Sequence, residues 1–332
     1  MHTFEFVRAA DSAAAVRSGA QAKTAQQGAD VRFVAGGTTL LDLMKLNVET
    51  PARLIDINRL PLDKIEATPE GGLKIGATVR NSDLANHPTV QRDYAVLSQA
   101  ILSGASAQLR NMATTAGNLL QRTRCVYFRD TAMPCNKREP GTGCAAITGA
   151  NRMLAILGTS EHCIATNPSD MCVAMAVLEA TIHVQGPNGA RAIPFGDFHL
   201  LPGSTPDRET VLEPGDLVTH VTLPPPVAGS RQVYLKLRDR ASYEFALASA
   251  AVVITVAGGK VTRARVALGG VGTKPWRSPE AEATLVDQPV NETNFRNAAE
   301  AALRDAKPQS ENGFKIELAK RCLTHALQMA TA

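Results

Sequence analysis

The chain has 332 residues, of which 44% are apolar and 20% are charged, and its net charge is +4. This length indicates two domains, and the composition is that of a folded protein rather than a disordered chain. The amino terminus lacks the basic segment and apolar core of a Sec-type signal peptide. The longest apolar run, residues 246–257, is too short to span a bilayer, so we expect no membrane insertion.

Positive charge is concentrated in residues 121–144. Five basic side chains stand there against two acidic ones, so the stretch has a net charge of five minus two, or +3. No set of aromatic residues that could stack on bases accompanies them, and we therefore expect no nucleic-acid binding. The basic residues are Arg122, Arg124, Arg129, Lys137 and Arg138, and the acidic ones are Asp130 and Glu139.

The first 149 residues predict short helices and strands, followed by a long irregular stretch. The alanine-rich segment after Asp11 predicts a helix that ends at Ala20. Alternating and apolar patterns predict strands at 31–35, 53–57 and 73–78, and helices at 38–46 and 93–102. Residues 121–149 are rich in glycine, proline and charge, without a helical or strand period. Long irregular loops of this kind usually carry a ligand or a function.

The remainder of the chain predicts two groups of elements separated by prolines. A helix at 169–178 and a strand at 180–185 come first. Residues 224–226 are three consecutive prolines, which cannot continue a helix or a central strand and so predict a domain boundary. Strands and helices without regular alternation indicate an α+β organisation in each part. Beyond the prolines we predict strands at 231–237, 246–257 and 261–268 with a hairpin turn at 258–260, then helices at 278–286, 292–305 and 313–330.

The pair Gly36-Gly37 stands between a predicted strand and a predicted helix. Glycines let the backbone approach a phosphate closely, and the N–H groups that open a helix face such an anion. Thr38 and Thr39 add hydroxyl donors. The segment is neither the dinucleotide fingerprint nor a P-loop. Taken alone, a turn of this kind is more often a simple chain reversal.

A second segment, residues 110–118 (Arg-Asn-Met-Ala-Thr-Thr-Ala-Gly-Asn), makes the pattern specific. The turn at 35–42, this segment, Ser169-Asp170, Lys236 and the Gly-Gly-Val at 269–271 occur in that order. The ordered set resembles the FAD-binding middle subunits of the molybdenum hydroxylase (xanthine dehydrogenase-like) family. The resemblance implies a PCMH-type (vanillyl-alcohol-oxidase-like) α+β FAD-binding domain over 1–224, with subdomains at about 1–58 and 59–224. It also implies a CO-dehydrogenase-flavoprotein-like α+β domain over 225–332.

The same resemblance implies which residues bind FAD. The turn would hold the pyrophosphate through backbone donors, Asp170 would bind a sugar or ribityl hydroxyl, and Lys236 would lie near the flavin ring. Leu217 comes from a less distinctive segment, and Ala116 departs from the family, which has glycine there. From the residues alone, Asp170 is better explained as a helix cap and Lys236 as a solvated strand residue. The implied cofactor-binding residues are Ala35, Gly36, Gly37, Thr38, Thr39, Leu40, Leu41, Thr114, Gly117, Asn118, Asp170, Leu217 and Lys236.

Four of the six cysteines form a candidate iron–sulfur site. Cys125, Cys135, Cys144 and Cys163 are separated by nine, eight and eighteen residues, which are not the spacings of ferredoxins or zinc ribbons. A [4Fe–4S] cluster is favoured by the irregular loop and by the basic residues, which would offset its negative charge. Zinc is the alternative metal, and disulfides are the alternative in an exported protein.

The fourth ligand has three candidates in the sequence. His162 and Cys163 lie close to the loop, whereas Cys172 lies on a predicted apolar helix, where a thiol normally packs in a core. Cys322 also lies at an apolar helical position. An all-thiolate set is the commoner arrangement for a [4Fe–4S] cluster.

The cysteine-bearing stretch also resembles a known subgroup. Residues 121–130, 133–144 and 158–163 are similar to the insertion in the flavin subunit of the bacterial periplasmic aldehyde oxidoreductases, which contains a [4Fe–4S] cluster. The match to the insertion of the 4-hydroxybenzoyl-CoA reductases is weaker. The resemblance implies a cluster insertion at about 121–163 and identifies Cys125, Cys135, Cys144 and Cys163 as the ligands.

The function implied is electron transfer within a heterotrimeric molybdenum-dependent aldehyde oxidoreductase. The implied partners are a large molybdopterin-binding subunit and a small subunit with two [2Fe–2S] clusters, and electrons would pass to FAD in this chain. No residue is predicted as a catalytic acid, base or nucleophile. The resemblance implies a periplasmic location by export with a partner, and the alternative is the cytoplasm.

Three other functions remain open at this point. One is the flavin subunit of another molybdenum hydroxylase, of the 4-hydroxybenzoyl-CoA reductase or xanthine dehydrogenase type. Another is a self-contained flavin oxidase of the same fold. The third is a zinc-stabilised binding module that uses the basic loop.

Overall fold

The computed structural model describes all 332 residues, and its first part is a small parallel sheet. The strand β3 lies between β1 and β2 and pairs with both of them in parallel. Ala15 and Val16 pack against Ile55 and Ile57 in a small core on this sheet. The elements are β1 (Glu5–Arg8), α1 (Ser12–Gly19), β2 (Val31–Val34), α2 (Leu40–Lys45) and β3 (Arg53–Asp56).

The second part is an antiparallel sheet with the strand order β4-β5-β8-β6-β7, packed against helices. Its central helix α9 is buried along its whole length within the largest core of the protein. The elements are β4 (Ile65–Ala67), β5 (Leu73–Gly76), α3 (Asn81–Asn86), α4 (Pro88–Asp93), α5 (Ala95–Ser103), α6 (Ala107–Met112), α7 (Thr115–Leu119), α8 (Val126–Arg129), α9 (Asp170–Val177), β6 (Thr181–Gly186), β7 (Gly189–Pro194), α10 (Phe195–Phe198) and β8 (Leu217–Leu223).

The third part is a four-stranded antiparallel sheet, ordered β12-β11-β10-β9, with three helices. One face of β10 belongs to the core around α9, and its other face belongs to the core that contains the last helix. Burial on both faces explains why the strand is apolar at nearly every position. The elements are β9 (Arg231–Leu237), β10 (Ala248–Ala257), β11 (Lys260–Gly269), β12 (Trp276–Arg277), α11 (Pro279–Leu285), α12 (Glu292–Ala302) and α13 (Phe314–Thr331).

The α+β class predicted from the sequence is confirmed, and the differences lie in short elements. The helix predicted over 93–102 is preceded by a separate helix, α4, and begins after Tyr94. The strand β1 was not predicted, because it is short, largely exposed and without alternation, and it exists through pairing with β3. None of the helices combines the length and apolar character that crossing a membrane requires. The domain limits near residues 58 and 224 stay predictions.

Candidate functional site

The glycine turn lies between β2 and α2 and packs closely against residues 110–118. Gly37 has a φ angle of +72°, a left-handed conformation that favours glycine. A Cβ atom on Gly36 would lie 2.0 Å from the carbonyl oxygen of Met112. The turn therefore needs one glycine for its backbone conformation and the other for its contact with the second segment.

A cavity runs along this turn and joins it to the start of α7. Residues 35–40 line the cavity, together with Thr114, Ala116 and Gly117. The hydroxyl of Thr114 accepts a hydrogen bond from the backbone N–H of Gly117 at 3.2 Å and so caps α7. Leu41 is 38% exposed and lies outside the cavity. The structure thus brings the two predicted segments together, with the exception of Leu41.

A larger cleft, of about 590 Å³, continues from this cavity, and the two share Thr38, Thr39 and Gly117. Its volume is in the range typical of small-molecule sites. Asn118, Asp170 and Lys236 line it. The predicted residues on four distant chain segments therefore meet along one elongated space.

Asn118 is held rigidly at the junction of the two spaces. Its side-chain amide donates to Oδ1 of Asn81 at 2.8 Å, and its Oδ1 accepts from the Ser169 hydroxyl at 2.7 Å and from Gln121 Nε2 at 2.6 Å. The hydrogen bond to Ser169 joins α7 to the start of α9. The sequence motif Gly-Asn therefore fixes the relative position of two walls of the cleft.

Asp170 and Lys236 form a buried ion pair in the cleft wall. The Lys236 Nζ lies 2.8 Å from Asp170 Oδ2, and only 3% of the lysine side chain is exposed. Ser169, rather than Asp170, caps α9, because its hydroxyl accepts from the Cys172 backbone N–H at 3.0 Å. Both structural explanations considered from the sequence, a helix cap for Asp170 and a solvated lysine, are therefore wrong.

Three further residues lie beside Asp170 or next to a residue that does, and they were not predicted. Tyr234 donates its hydroxyl to Asp170 Oδ1 at 2.6 Å. Gly104 approaches so closely that a Cβ atom there would lie 3.0 Å from Asp170 Oδ2, and Ala105 next to it has a φ of +52°. Tyr234 precedes Lys236 by two residues on β9, so the period of a strand could have identified it as a neighbour on the same face.

Basic side chains cap the carboxyl end of α5 in the same wall of the cleft. Lys236 and Arg238 donate to the carbonyl of Ser103 at 3.1 and 2.9 Å, and Arg110 donates to the carbonyl of Gly104 at 2.6 Å. Cations at a helix carboxyl terminus satisfy its free carbonyls and interact favourably with its dipole. The positive charge of this wall is therefore fixed in position by the fold.

Leu217 lies elsewhere. It is the first residue of β8, is 2% exposed, and belongs to the small core with Val16 and Ile57. It lines neither cavity described above. The structure does not bring it to the cleft, and its role in cofactor binding stays a prediction.

The four candidate cysteine ligands lie around a second, small cavity. Cys125 precedes α8, Cys135 and Cys144 pair through an isolated antiparallel bridge, and Cys163 completes the lining. His162 lines the same cavity, but its residue surface is exposed. All six cysteines of the chain are free thiols. Residues separated by up to thirty-eight positions in the sequence thus converge on one point.

Burial disfavours the charged form of these thiols. It raises the pKa of Cys125 to about 11, and it also raises the pKa of Cys163, against the opposing charge of Lys137. Cys172 and Cys322 are buried in helices α9 and α13, and burial raises the pKa of each to about 12. Their prediction as core thiols is consistent with these positions.

Four of the five basic residues in 121–144 are paired with carboxylates of the surrounding subdomains. Arg122 pairs with Glu49 and Glu209, and Lys137 Nζ lies 2.8 Å from a Glu209 oxygen. Arg124 and Arg129 both pair with Asp42 of α2. The expectation that these side chains offset a cluster's charge stays a prediction. Most of the local excess of +3 is compensated within the protein and ties the insertion to its neighbours.

The chain returns from the insertion through residues 153–157. The backbone N–H of Ala155 donates to the carbonyl of Ile164 at 2.9 Å, which brings Cys163 back beside the loop. The fully buried Lys315 of α13 donates to the carbonyls of Leu154 and Gly270 at 3.0 and 2.5 Å, and burial lowers its pKa to about 7. The third part of the protein thus holds residues 153–157, which in turn pair with the residue that follows Cys163.

The cysteine cavity does not have the geometry of a single-ion site. No group of three or more His, Cys, Asp or Glu side chains in the structure is arranged to hold a metal ion. The four cysteines nevertheless line one cavity. The ligand set predicted for a [4Fe–4S] cluster stays a prediction.

Comparison with protein families identifies the class. Residues 2–226 match the family described as the FAD binding domain in molybdopterin dehydrogenase, and residues 233–330 match the CO dehydrogenase flavoprotein C-terminal domain. Together the two matches cover most of the chain and define a flavoprotein with these two domains in this order. The first match spans the first two parts of the fold, and the second match spans nearly all of the third part.

Individual relatives narrow the identification. The chain is 56% identical over 314 residues to the aldehyde oxidoreductase FAD-binding subunit PaoB of Escherichia coli strain K12, covering 94% of this chain and 95% of that one. It is 27% identical to the carbon monoxide dehydrogenase medium chain of Hydrogenophaga pseudoflava, over 92% and 91% of the two chains. A solved carbon monoxide dehydrogenase structure from that organism matches with a TM-score of 0.77, at 27% identity, over 99% and 98% of the chains. The chain belongs to the FAD-binding subunits of the molybdenum hydroxylase family, and is an oxidoreductase subunit.

Proposed function

We propose that this chain is the FAD- and [4Fe–4S]-binding electron-transfer subunit of a heterotrimeric, molybdenum-dependent aldehyde oxidoreductase that converts aldehydes to carboxylic acids. The observation that carries the proposal is the 56% identity, over nearly the full length of both chains, to a subunit named as part of an aldehyde oxidoreductase. The proposed partners are a large molybdopterin-binding subunit and a small subunit with two [2Fe–2S] clusters.

The elongated cleft is the proposed FAD site. FAD, when bound, accepts and stores two electrons. The turn at 35–40 would hold the pyrophosphate through its backbone N–H groups, because Gly36 and Gly37 allow close approach and α2 begins directly after it. Thr114, Gly117 and Asn118 would contact the cofactor where the two spaces join. Asp170 would accept a hydrogen bond from a cofactor hydroxyl, and Lys236 would supply positive charge near the ring.

Leu41 and Leu217 are the less well supported members of the proposed set. Neither lines the cleft, and only the resemblance assigns them to FAD. Leu41 lies on the exposed side of α2, one residue beyond the turn. Its backbone N–H donates to the Gly37 carbonyl at 3.0 Å, so it can support the turn without contacting the cofactor.

The insertion is the proposed [4Fe–4S] site, with Cys125, Cys135, Cys144 and Cys163 as ligands. The four thiols share one cavity and are not joined in disulfides, which suits a shared prosthetic group. The four thiolates of such a cluster bind four different iron atoms, and they therefore stand farther apart than the ligands of one ion. A cluster would supply one-electron chemistry and would stabilise the thiolate forms that burial disfavours.

The compartment is a separate proposal. The insertion resembles that of periplasmic aldehyde oxidoreductases, which favours a periplasmic location reached with a partner subunit. The cytoplasm is the alternative. Fractionation of the native host, followed by detection of this chain, distinguishes the two locations.

The proposal is tested by purifying the complex from its native host and measuring flavin, iron, zinc and aldehyde-dependent dye reduction. We expect one FAD and about eight iron atoms per complex, of which about four belong to this chain and four to the [2Fe–2S] clusters of the small subunit. We also expect turnover by the complex and little turnover by the chain alone. Robust turnover by the isolated chain would indicate a self-contained oxidase. Zinc without flavin would contradict the proposal entirely.

The ligand set is tested with a matched pair of variants in the same complex. Cys163→Ser should lose or strongly perturb the [4Fe–4S] signal in electron paramagnetic resonance, whereas Cys172→Ser should keep it. The control places a hydroxyl at a fully buried position of α9 and should cost about 1–3 kcal/mol of stability. FAD should remain bound in both. The reverse pattern of iron loss would show that the fourth ligand is misassigned.

A further inference from the structure

Asp170 is held by two donors, one on each carboxylate oxygen. Lys236 Nζ lies 2.8 Å from Oδ2, and the Tyr234 hydroxyl lies 2.6 Å from Oδ1. The two donors come from the same face of β9, two residues apart, while the carboxylate lies at the first position of α9. A carboxylate oxygen can accept two hydrogen bonds, so each oxygen keeps capacity for a ligand hydroxyl in the cleft.

Tyr234 is itself fixed in place by the surrounding fold. Its ring belongs to the largest core, and only 7% of the residue is exposed. Its backbone N–H donates to Gln99 Oε1 at 2.8 Å, which joins β9 to α5. On the neighbouring strand, its register partner is the fully buried Ala251. The hydroxyl therefore has little freedom to move away from the carboxylate.

The tyrosine acts as a donor at every physiological pH. Burial, together with the negative charge of Asp170, raises the pKa of Tyr234 well above its ordinary value of 10. A carboxylate accepts hydrogen bonds and cannot donate, so the direction of this bond is fixed. Lys236 alone would leave Oδ1 without a protein donor and the carboxylate free to rotate about its Cβ–Cγ bond.

We propose that Tyr234 is a positioning residue for FAD binding: it fixes the Asp170 carboxylate in the orientation in which that carboxylate accepts a hydroxyl of the cofactor. The inference rests on the proposed cleft assignment and deepens it, since it names a residue that supports the contact without lining the cleft. It assigns three tasks to three side chains. Asp170 accepts from the cofactor, Lys236 supplies charge, and Tyr234 fixes the orientation.

The test is the Tyr234→Phe variant in the intact complex, with the FAD dissociation constant measured after removal and readdition of the cofactor. Phenylalanine keeps the ring in the core and removes only the hydroxyl. Because this hydrogen bond is made to a charged group, its loss should lower FAD affinity on the order of tenfold. Unchanged affinity in a folded variant overturns the proposal.

Tyr94→Phe is the matched control. Tyr94 belongs to the same core, is 2% exposed, and donates its hydroxyl to the Pro224 carbonyl at 2.8 Å, away from the cleft. We expect a similar loss of thermal stability with unchanged FAD affinity. Equal weakening of FAD binding by both variants would mean that core loosening, rather than positioning, accounts for the effect, and would also overturn the proposal.

A double-mutant cycle separates positioning from a general structural role. In the Asp170→Ala background, Tyr234→Phe should cause no further loss of FAD affinity, because the tyrosine acts through the carboxylate. Additive losses overturn the proposal.

A crystal structure of the wild-type complex with FAD is the second measurement if Tyr234→Phe does not fold. The proposal requires a hydrogen bond from the Tyr234 hydroxyl to Asp170 Oδ1 and a hydrogen bond from a cofactor hydroxyl to the Asp170 carboxylate. Any other arrangement contradicts it.

Failure of the broader assignment gives a different result. A wild-type complex that contains no FAD, or a structure with FAD outside the cleft, contradicts the proposed function. A wild-type complex that binds FAD in the cleft, combined with an unaffected Tyr234→Phe variant, contradicts only the positioning role.

Discussion

The cleft and the cysteine-bearing insertion are both assembled by tertiary contacts, but they are held in different ways. The cleft is lined largely by the ends of regular elements. Of these, α5, α7, α9 and β9 contribute to the largest core, whereas β2 packs in small cores of the first part. The insertion contains one helix of four residues, and it shares a small core of ten buried residues with Leu43 and Val48 of the first part. Rigid elements position the cleft residues, whereas the insertion depends on polar contacts with its surroundings.

The polar contacts attach the insertion to two different regions of the protein. Arg124 and Arg129 reach Asp42 of α2, while Arg122 and Lys137 reach Glu209. Charge in this irregular segment therefore attaches it to the surrounding subdomains. We expect backbone changes to damage the cleft most and charge changes to damage the insertion most.

The largest effect is expected from a single methyl group in the glycine turn. Gly36→Ala places a Cβ atom where the Met112 carbonyl oxygen lies, and because that neighbour is backbone, the turn must shift. A displacement of the N–H groups that hold the pyrophosphate should weaken FAD binding by more than about 100-fold, equivalent to about 2.7 kcal/mol. Fluorescence titration with FAD measures this loss.

The iron content of Gly36→Ala should stay normal, because the four cysteines line a cavity that shares no residue with the cleft. Gly196→Ala is the control, since a Cβ atom there meets no other atom within 4 Å. Joint loss of flavin and iron from Gly36→Ala would break the distinction between the two regions.

An intermediate effect is expected from the buried charges that anchor the insertion. Burial opposes ionisation of Glu209, but Arg122 and Lys137 outweigh it and lower the pKa of Glu209 from its ordinary 4.5 to about 2. Glu209→Gln should therefore cost about 2 kcal/mol at pH 7, after allowance for partial exposure of the side chain. The free energy of unfolding, measured against denaturant, checks this value.

The pH dependence of the same contact has a defined sign. Because the folded pKa is depressed, the stabilisation is fully present above pH 4.5 and is lost as the pH falls from 4.5 towards 2. The difference between wild type and Glu209→Gln should shrink over that interval. Glu213→Gln, which removes a solvent-exposed pair with Arg208, is the control and should change stability by less than about 0.5 kcal/mol. A constant difference down to pH 3 would contradict the depressed pKa.

The smallest effect is expected where the insertion meets the glycine-turn helix. Asp42 lies on α2 and is paired with Arg124 and Arg129, with 39% of its side chain exposed. Asp42→Asn should cost less than about 1 kcal/mol and weaken FAD binding about two- to threefold, an effect that salt should reduce. Isothermal titration at low and high salt measures it. Glu292→Gln, in an exposed pair on α12, should leave FAD affinity unchanged.

Much of the fold could be predicted from the sequence. Glycine, proline and apolar patterns located the strand before Gly36, the helix beginning near Ser169, and the three strands after the triple proline. Short elements such as β1 were missed, because they depend on pairing with strands distant in the chain. The ordered motifs identified the FAD-binding class, but they could not reveal that the insertion's basic residues are already paired.

Local patterns of residue type and spacing were enough to predict the class of the protein, the position of the glycine turn and the four candidate cysteines. The contacts of Asp170 and Lys236 depend instead on tertiary packing. From the sequence they are a helix-capping residue and a strand lysine, sixty-six positions apart. Packing of β9 against α9 buries both, and a buried charge requires a partner. Local sequence patterns do not express this requirement. It accounts for the ion pair between Asp170 and Lys236 and for the position of the Tyr234 hydroxyl beside Asp170.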